Sequence, residues 1–106
     1  MTSVKFLADE KSLFGFEISG HSSSDCDDLT GKIVCAAVSS AAYMAANTIT
    51  EVVGDRADIM VDEALMRVVV KNPSQTTVKI LEGFKLHLYE LSGQYSNNIK
   101  IIGGAK

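Results

Sequence analysis

Apolar residues fall at every second position in two short runs near the start of the chain. Val4 and Phe6 form the first and Phe14, Phe16 and Ile18 the second, with the polar stretch Asp9-Glu10-Lys11-Ser12 between them. A period of two marks the half-buried strand, so this stretch predicts a β-hairpin. From about Ile33 to Val53 the period changes. Val34, Val38, Ala42, Ala45, Ile49 and Val52 recur at spacings of three and four, which is one stripe of a helix closed by Gly54. Ala36, Ala37, Ala41 and Ala46 occupy its other faces, so the helix is expected deep in the domain or at an interface.

Alternation returns beyond Gly54. Ile59 and Val61 alternate with Asp58 and Asp62, and Met66, Val68 and Val70 follow after a short acidic turn, predicting a second hairpin. Asn72-Pro73-Ser74 is a turn that opens a second helix, whose stripe runs Leu81, Phe84, Leu88, Leu91, Tyr95. Gly93 and Asn97-Asn98 mark its end, and Ile99 and Ile101 supply a last short strand. The order ββαββαβ predicts an α+β two-layer sandwich: two helices on one face of a largely antiparallel or mixed sheet. At 106 residues the whole chain, 1–106, is expected to form one domain.

Composition changes this picture little. Hydrophobic residues make up 46% and charged residues 22%, within the range of globular proteins. A formal net charge of −3, with the lysines scattered singly, gives no basic patch for a phosphate backbone, so direct nucleic-acid binding is not expected. No apolar run approaches the roughly 18–20 residues that cross a bilayer, and the opening residues lack the apolar region and cleavage site of a signal peptide. A cytoplasmic location with no membrane partner is the expectation.

The least regular stretch, Gly20 to Gly31, joins a strand end to the start of the first helix, and chemistry is expected there. Cys35 falls in the predicted first turn of that helix. A cysteine is nucleophilic as its thiolate, which a helix N-terminus or a nearby cation favours, and Lys32 supplies a cation. The small neighbours Ala36, Ala37, Ser39 and Ser40 would admit a substrate backbone, and the first-turn amides, those of Cys35 and Ala36, would hold an oxyanion. His21, just after a strand end, is the candidate general base. Spacing alone leaves open a buried packing cysteine and a histidine at a strand end. Cys26, Cys35 and His21 match no common zinc spacing, so no metal is assigned.

Gly20-His21, a short polar loop, and then Gly31-Lys32-Ile33-Val34-Cys35-Ala36-Ala37-Val38-Ser39 resemble the signature of the ribosomal-processing cysteine proteases. The resemblance covers essentially the whole chain and implies the same ββαββαβ order. It implies a cysteine endopeptidase with Cys35 as nucleophile and His21 as base, working without a cofactor. The implied substrate is the N-terminal extension of a bacterial large-subunit ribosomal protein, the twenty-seventh, cut after a bulky aromatic residue. A homodimer is implied too.

Two features depart from the family's pattern. Lys32 stands where many members carry an acidic residue, so an orienting carboxylate is lost and no third catalytic residue is assigned. The loop from Ser22 to Thr30 is also slightly longer. Gly20, Ser22, Asp25, Asp27, Asp28 and Lys32 are its candidates for binding or gating substrate. Asp25, Asp27 or Asp28 could instead orient His21. Cys26 could pair reversibly with Cys35. His87 is expected on the flank of the second helix, Asp58, Asp62 and Glu63 on the solvent face, and Tyr43, Met44, Met60 and Met66 in packing. The alternative to an enzyme is a non-catalytic ribosome-associated binding module; a thiol redox protein lacks its Cys-x-x-Cys motif.

Overall fold

The computed structural model describes residues 1–20 and 28–103. Strands β1 (Thr2–Ala8) and β2 (Leu13–Ser19) form the first hairpin. Helix α1 (Leu29–Asn47) continues into a π-helical segment, Thr48–Val53. Strands β3 (Ala57–Asp62) and β4 (Leu65–Val70) form the second hairpin, followed by α2 (Gln75–Gln94) and β5 (Ile99–Gly103). The predicted ββαββαβ order and α+β class are therefore observed.

The five strands lie in the order β3-β4-β2-β1-β5, all pairs antiparallel except β1 with β5. The sheet is thus mixed. Two crossovers build it: β2-α1-β3 and β4-α2-β5 each connect strands that run the same way. The first moves toward one edge and the second toward the other, and their strands run in opposite directions. Right-handed crossovers of that kind place both helices on one face. The core lies between, where Val4, Phe6, Phe16, Ile18, Met66, Val68 and Val70 of the sheet meet Val34, Val38, Ala42, Ile49, Leu81, Phe84 and Leu88 of the helices. Phe84 of α2 joins the helix layer to the hairpin, its ring 4.6 Å from Phe16 and 5.8 Å from Phe6. Gly15 is demanded by the sheet, because a Cβ there would collide with the Val68 carbonyl oxygen.

Four details differ from the sequence expectation. Helix α1 begins four residues earlier than the stripe suggested, because Asp28 caps it: its Oδ1 accepts a hydrogen bond from the Gly31 amide at 2.6 Å. At the other end Gly54 closes the helix in the left-handed region, φ +90°. There the Gly54 amide reaches the Ile49 carbonyl, an i→i+5 bond. This wider winding turns Val52 off the stripe, and it is 79% exposed. Strand β3 is an edge, so Ile59, Met60 and Val61 stay exposed although Ile59 and Val61 lie opposite the core residues Val68 and Met66. Tyr43 and Met44 are exposed as well, while Met66 is core.

The fourth difference concerns length and polarity. Although Lys32 and Glu51 interrupt it, the helical stretch Leu29–Val53, 25 residues long, is apolar and long enough by length and composition to cross a membrane, contrary to the expectation that no segment would qualify. In the fold one stripe of this stretch, including Val34, Val38, Ala42 and Ile49, is spent on the protein core.

Candidate active site

The site is built at one end of the sheet, where β1 begins and β2 ends. The antiparallel register sets Ser3 opposite Ser19, so the next residues outward are Thr2 and Met1 on one strand and Gly20 on the other. Gly20 turns the chain off the sheet with φ +76°, and its amide donates to the Ala64 carbonyl at 3.1 Å. A Cβ at this position would lie 2.5 Å from the Met1 carbonyl oxygen. Only glycine meets both conditions, which explains physically why a glycine precedes His21.

Cys35 is half-buried on α1, beside the start of β1. Its Sγ lies 3.6 Å from the Thr2 hydroxyl oxygen. Thr2 is itself buried, and its amide donates to the Asn98 carbonyl at 2.8 Å, which ties the start of β1 to the chain entering β5. Cys35, Thr2, Met1 and Gly20 therefore form a continuous path from the helix across two strand ends. His21, the residue after Gly20, lies outside the described residues, as do Ser22, Asp25, Cys26 and Asp27. The Cys35 sulfur is held in a disulfide, and Cys26, which the sequence offered as a candidate reversible partner, lies outside the described residues. A disulfide sulfur is not a nucleophile, so the chemistry belongs to the reduced protein.

The early start of α1 bears on four candidates, Cys35, Ala36, Asp28 and Lys32. Cys35 is the seventh helical residue and not part of the first turn. The macrodipole acts mainly within the first turn, so it favours the thiolate less than the sequence suggested. The amides of Cys35 and Ala36 lie inside the helical hydrogen-bond ladder, which begins with the Lys32 amide donating to the Asp28 carbonyl. They are not the open donors that an oxyanion would need. Asp28 is the helix cap, a structural task, and Lys32 is exposed on the first turn.

Other expectations fall away from the site. His87 is exposed on α2, lining an apolar groove of about 650 Å³ between the helices with Ala37, Ala41, Met44 and Phe84. Asp58 and Asp62 are exposed on the edge strand and Glu63 on the turn after it; Asp58 meets Lys71 at 3.7 Å. Among the described residues no three His, Cys, Asp or Glu side chains cluster as a metal site would require.

One neighbour of Cys35 escaped the sequence pattern, namely Thr2. It is in phase with Val4 and Phe6, which is the signal that it faces the core. Asp55 was also missed: its Oδ2 accepts from the Ser74 amide and hydroxyl at 2.9 and 2.8 Å. The nearby Thr77 hydroxyl, buried and without a well-formed hydrogen bond, together with these Ser74 donors holds the Asp55 carboxyl below its ordinary range. This pair anchors the start of α2, far from the chemistry in sequence.

The family model for the cysteine protease Prp matches residues 1–100. The chain belongs to the cysteine protease Prp family. Membership makes it a cysteine protease, as the Gly-His and Ile-Val-Cys-Ala motifs implied. Among solved structures, the fold is similar to SMU.848 from Streptococcus mutans at 22% identity and a TM-score of 0.84, covering 96% of this chain and 97% of that one. It is also similar to the essential ribosomal processing protease Prp from S. aureus in complex with a substrate peptide, at 22% identity and a TM-score of 0.85, over 95% and 97% of the two chains. The S. aureus protease with a covalently linked product peptide gives 23% identity, a TM-score of 0.80, and coverage of 96% and 98%. No curated protein matches the chain by sequence. At these identities the structural likeness speaks for the shared Prp fold.

Proposed function

We propose that this Prp-family protein is a ribosomal-processing endopeptidase that removes the N-terminal extension of a bacterial large-subunit ribosomal protein, the twenty-seventh, with Cys35 as nucleophile and His21 as general base. The observation that carries the assignment of residues is the shared end of the sheet: Cys35 touches Thr2, and Gly20, the residue before His21 in the chain, packs its backbone against Met1. Support for the substrate class comes from the S. aureus relative, a ribosomal processing protease solved with substrate and product peptides.

In the reduced protein His21 takes the Cys35 thiol proton, and the thiolate forms a C–S bond with the scissile carbonyl carbon. The tetrahedral oxyanion then collapses, the C–N bond breaks, and His21 returns the proton to the leaving amine. A water molecule gives its proton to His21 and attacks the thioester, releasing the new carboxyl end and the Cys35 thiolate. No cofactor enters these steps. The same proposal includes a cytoplasmic homodimer, supported by the exposed apolar side chains Leu29, Ile33 and Met44 on α1 and Ile59, Met60 and Val61 on the open edge of β3.

The deciding experiment incubates reduced wild type and Cys35→Ala with a peptide spanning the ribosomal protein's N-terminal extension, followed by mass spectrometry. Cleavage by wild type and none by Cys35→Ala is expected. Intact peptide with the reduced wild type, with the peptide bound, would favour the non-catalytic binding module. Light scattering of the purified protein tests the dimer.

A further inference from the structure

We propose that Thr2 is a positioning residue for the nucleophile: its buried hydroxyl donates to the Cys35 thiolate and fixes the sulfur at the end of the sheet. The inference rests on Cys35 acting as the nucleophile. Three observations carry it. Thr2 is 2% exposed, so its hydroxyl cannot turn to bulk water for a partner. Its Oγ1 lies 3.6 Å from the Cys35 Sγ, within reach of a hydrogen bond to sulfur. Its backbone is tied to the β5 side of the sheet, by the hydrogen bond from its amide to the Asn98 carbonyl and by parallel pairing opposite Ile99, so the residue that carries the hydroxyl is held in place.

The chemistry makes the contact directional. Against a neutral thiol either group can donate, whereas a thiolate has no proton and Thr2 must be the donor. A hydrogen bond available to the charged form favours that form. Such help is needed here, because Cys35 sits beyond the first turn of α1, where the helix amides and macrodipole no longer assist it. Buried hydroxyls that lose their partner also carry a penalty, so the contact is worth most once the sulfur is charged.

The test compares reduced wild type, Thr2→Val and Thr2→Ser. Valine matches the shape of threonine without the hydroxyl, and serine keeps the hydroxyl without the methyl. Iodoacetamide alkylation is followed against pH on the tryptic peptide running from Ile33 to Arg56, which holds Cys35 and excludes Cys26. Peptide cleavage and thermal melting are measured alongside. For Thr2→Val the alkylation profile should move to higher pH, with Cys35 reacting about three- to tenfold more slowly at pH 7. Its kcat should fall by a similar factor with KM little changed, and Thr2→Ser should recover both. Superimposable pH profiles for wild type and a folded Thr2→Val would overturn the proposal. Failure of the wild type to cleave would sink the protease assignment instead, and the alkylation profiles would still decide whether Thr2 governs the sulfur. If Thr2→Val melts early, Thr2→Ser carries the test: a folded serine variant with the valine variant's profile would refute the role of the hydroxyl.

Discussion

Replacing Asp28 with alanine should separate a structural role from a chemical one at the entrance to α1. Asp28 is extended, at φ −96° and ψ 168°, and its carboxylate accepts from the Gly31 amide at 2.6 Å while its carbonyl accepts the first helical bond from Lys32. Losing such a cap costs about 1 kcal/mol, within a range of roughly 0.5–2. Asp28 is exposed, so its additional interaction with the helix dipole contributes only a few tenths of a kcal/mol. For a domain of this size that total lowers the melting temperature by about 4–8 °C. Cys35 lies seven residues further on, about 10.5 Å along the axis, so fraying of the first turn does not reach it.

Asp28→Ala should therefore melt early yet cleave peptide at near the wild-type rate well below its transition. Asp28→Ser, which restores the cap without the charge, should recover the lost stability. The assays are thermal unfolding followed by circular dichroism and peptide cleavage at 20 °C. A fully stable Asp28→Ser with cleavage reduced by about tenfold or more would refute this reasoning, because it would mean the carboxylate serves the chemistry.

Gly20→Ala should add about 1–2 kcal/mol of left-handed backbone strain and push the Met1 carbonyl away, displacing both strand ends at the site. Cleavage should fall by about tenfold or more, beyond what the loss of stability explains, and kinetics matching the wild type would count against this turn as the aligning element. Phe84→Ala should remove about 3–5 kcal/mol in urea unfolding, since its buried ring packs on Phe6 and Phe16; a loss under about 1 kcal/mol would contradict that placement. Asp55 has a depressed folded pKa, so its contribution is present above the unfolded value near 3.9 and is lost as pH falls through the folded one. Asp55→Asn should consequently flatten the acid limb of the stability curve below about pH 4, and an unchanged limb would show that the carboxylate is not what anchors Ser74.

Much of this protein was legible in its sequence because burial imposes a period. Alternation at Val4-Phe6 and Met66-Val68-Val70, and the helical stripes at Val34-Val38-Ala42 and Leu81-Phe84-Leu88, each report one buried face, and together they predicted the order of elements. Gly54 and Ser74 announced helix boundaries through backbone and capping chemistry that depends only on neighbouring residues. The Gly-His and Ile-Val-Cys-Ala motifs named the family. The start of α1 was misplaced because Leu29, Thr30 and Gly31 carry no apolar period; the Asp28 cap decides it. Val52 left the stripe because a π-helical turn changes the winding, and Ile59 and Val61 remained exposed because β3 is an edge. Periodicity cannot report either condition. Thr2 is the clearest case of what tertiary structure alone decided: it lies 33 positions from Cys35 in the chain, and only the crossover that lays α1 over the start of β1 brings a buried hydroxyl to the sulfur. A local pattern records which face of an element is buried, whereas the partner on that face is chosen by how the elements pack.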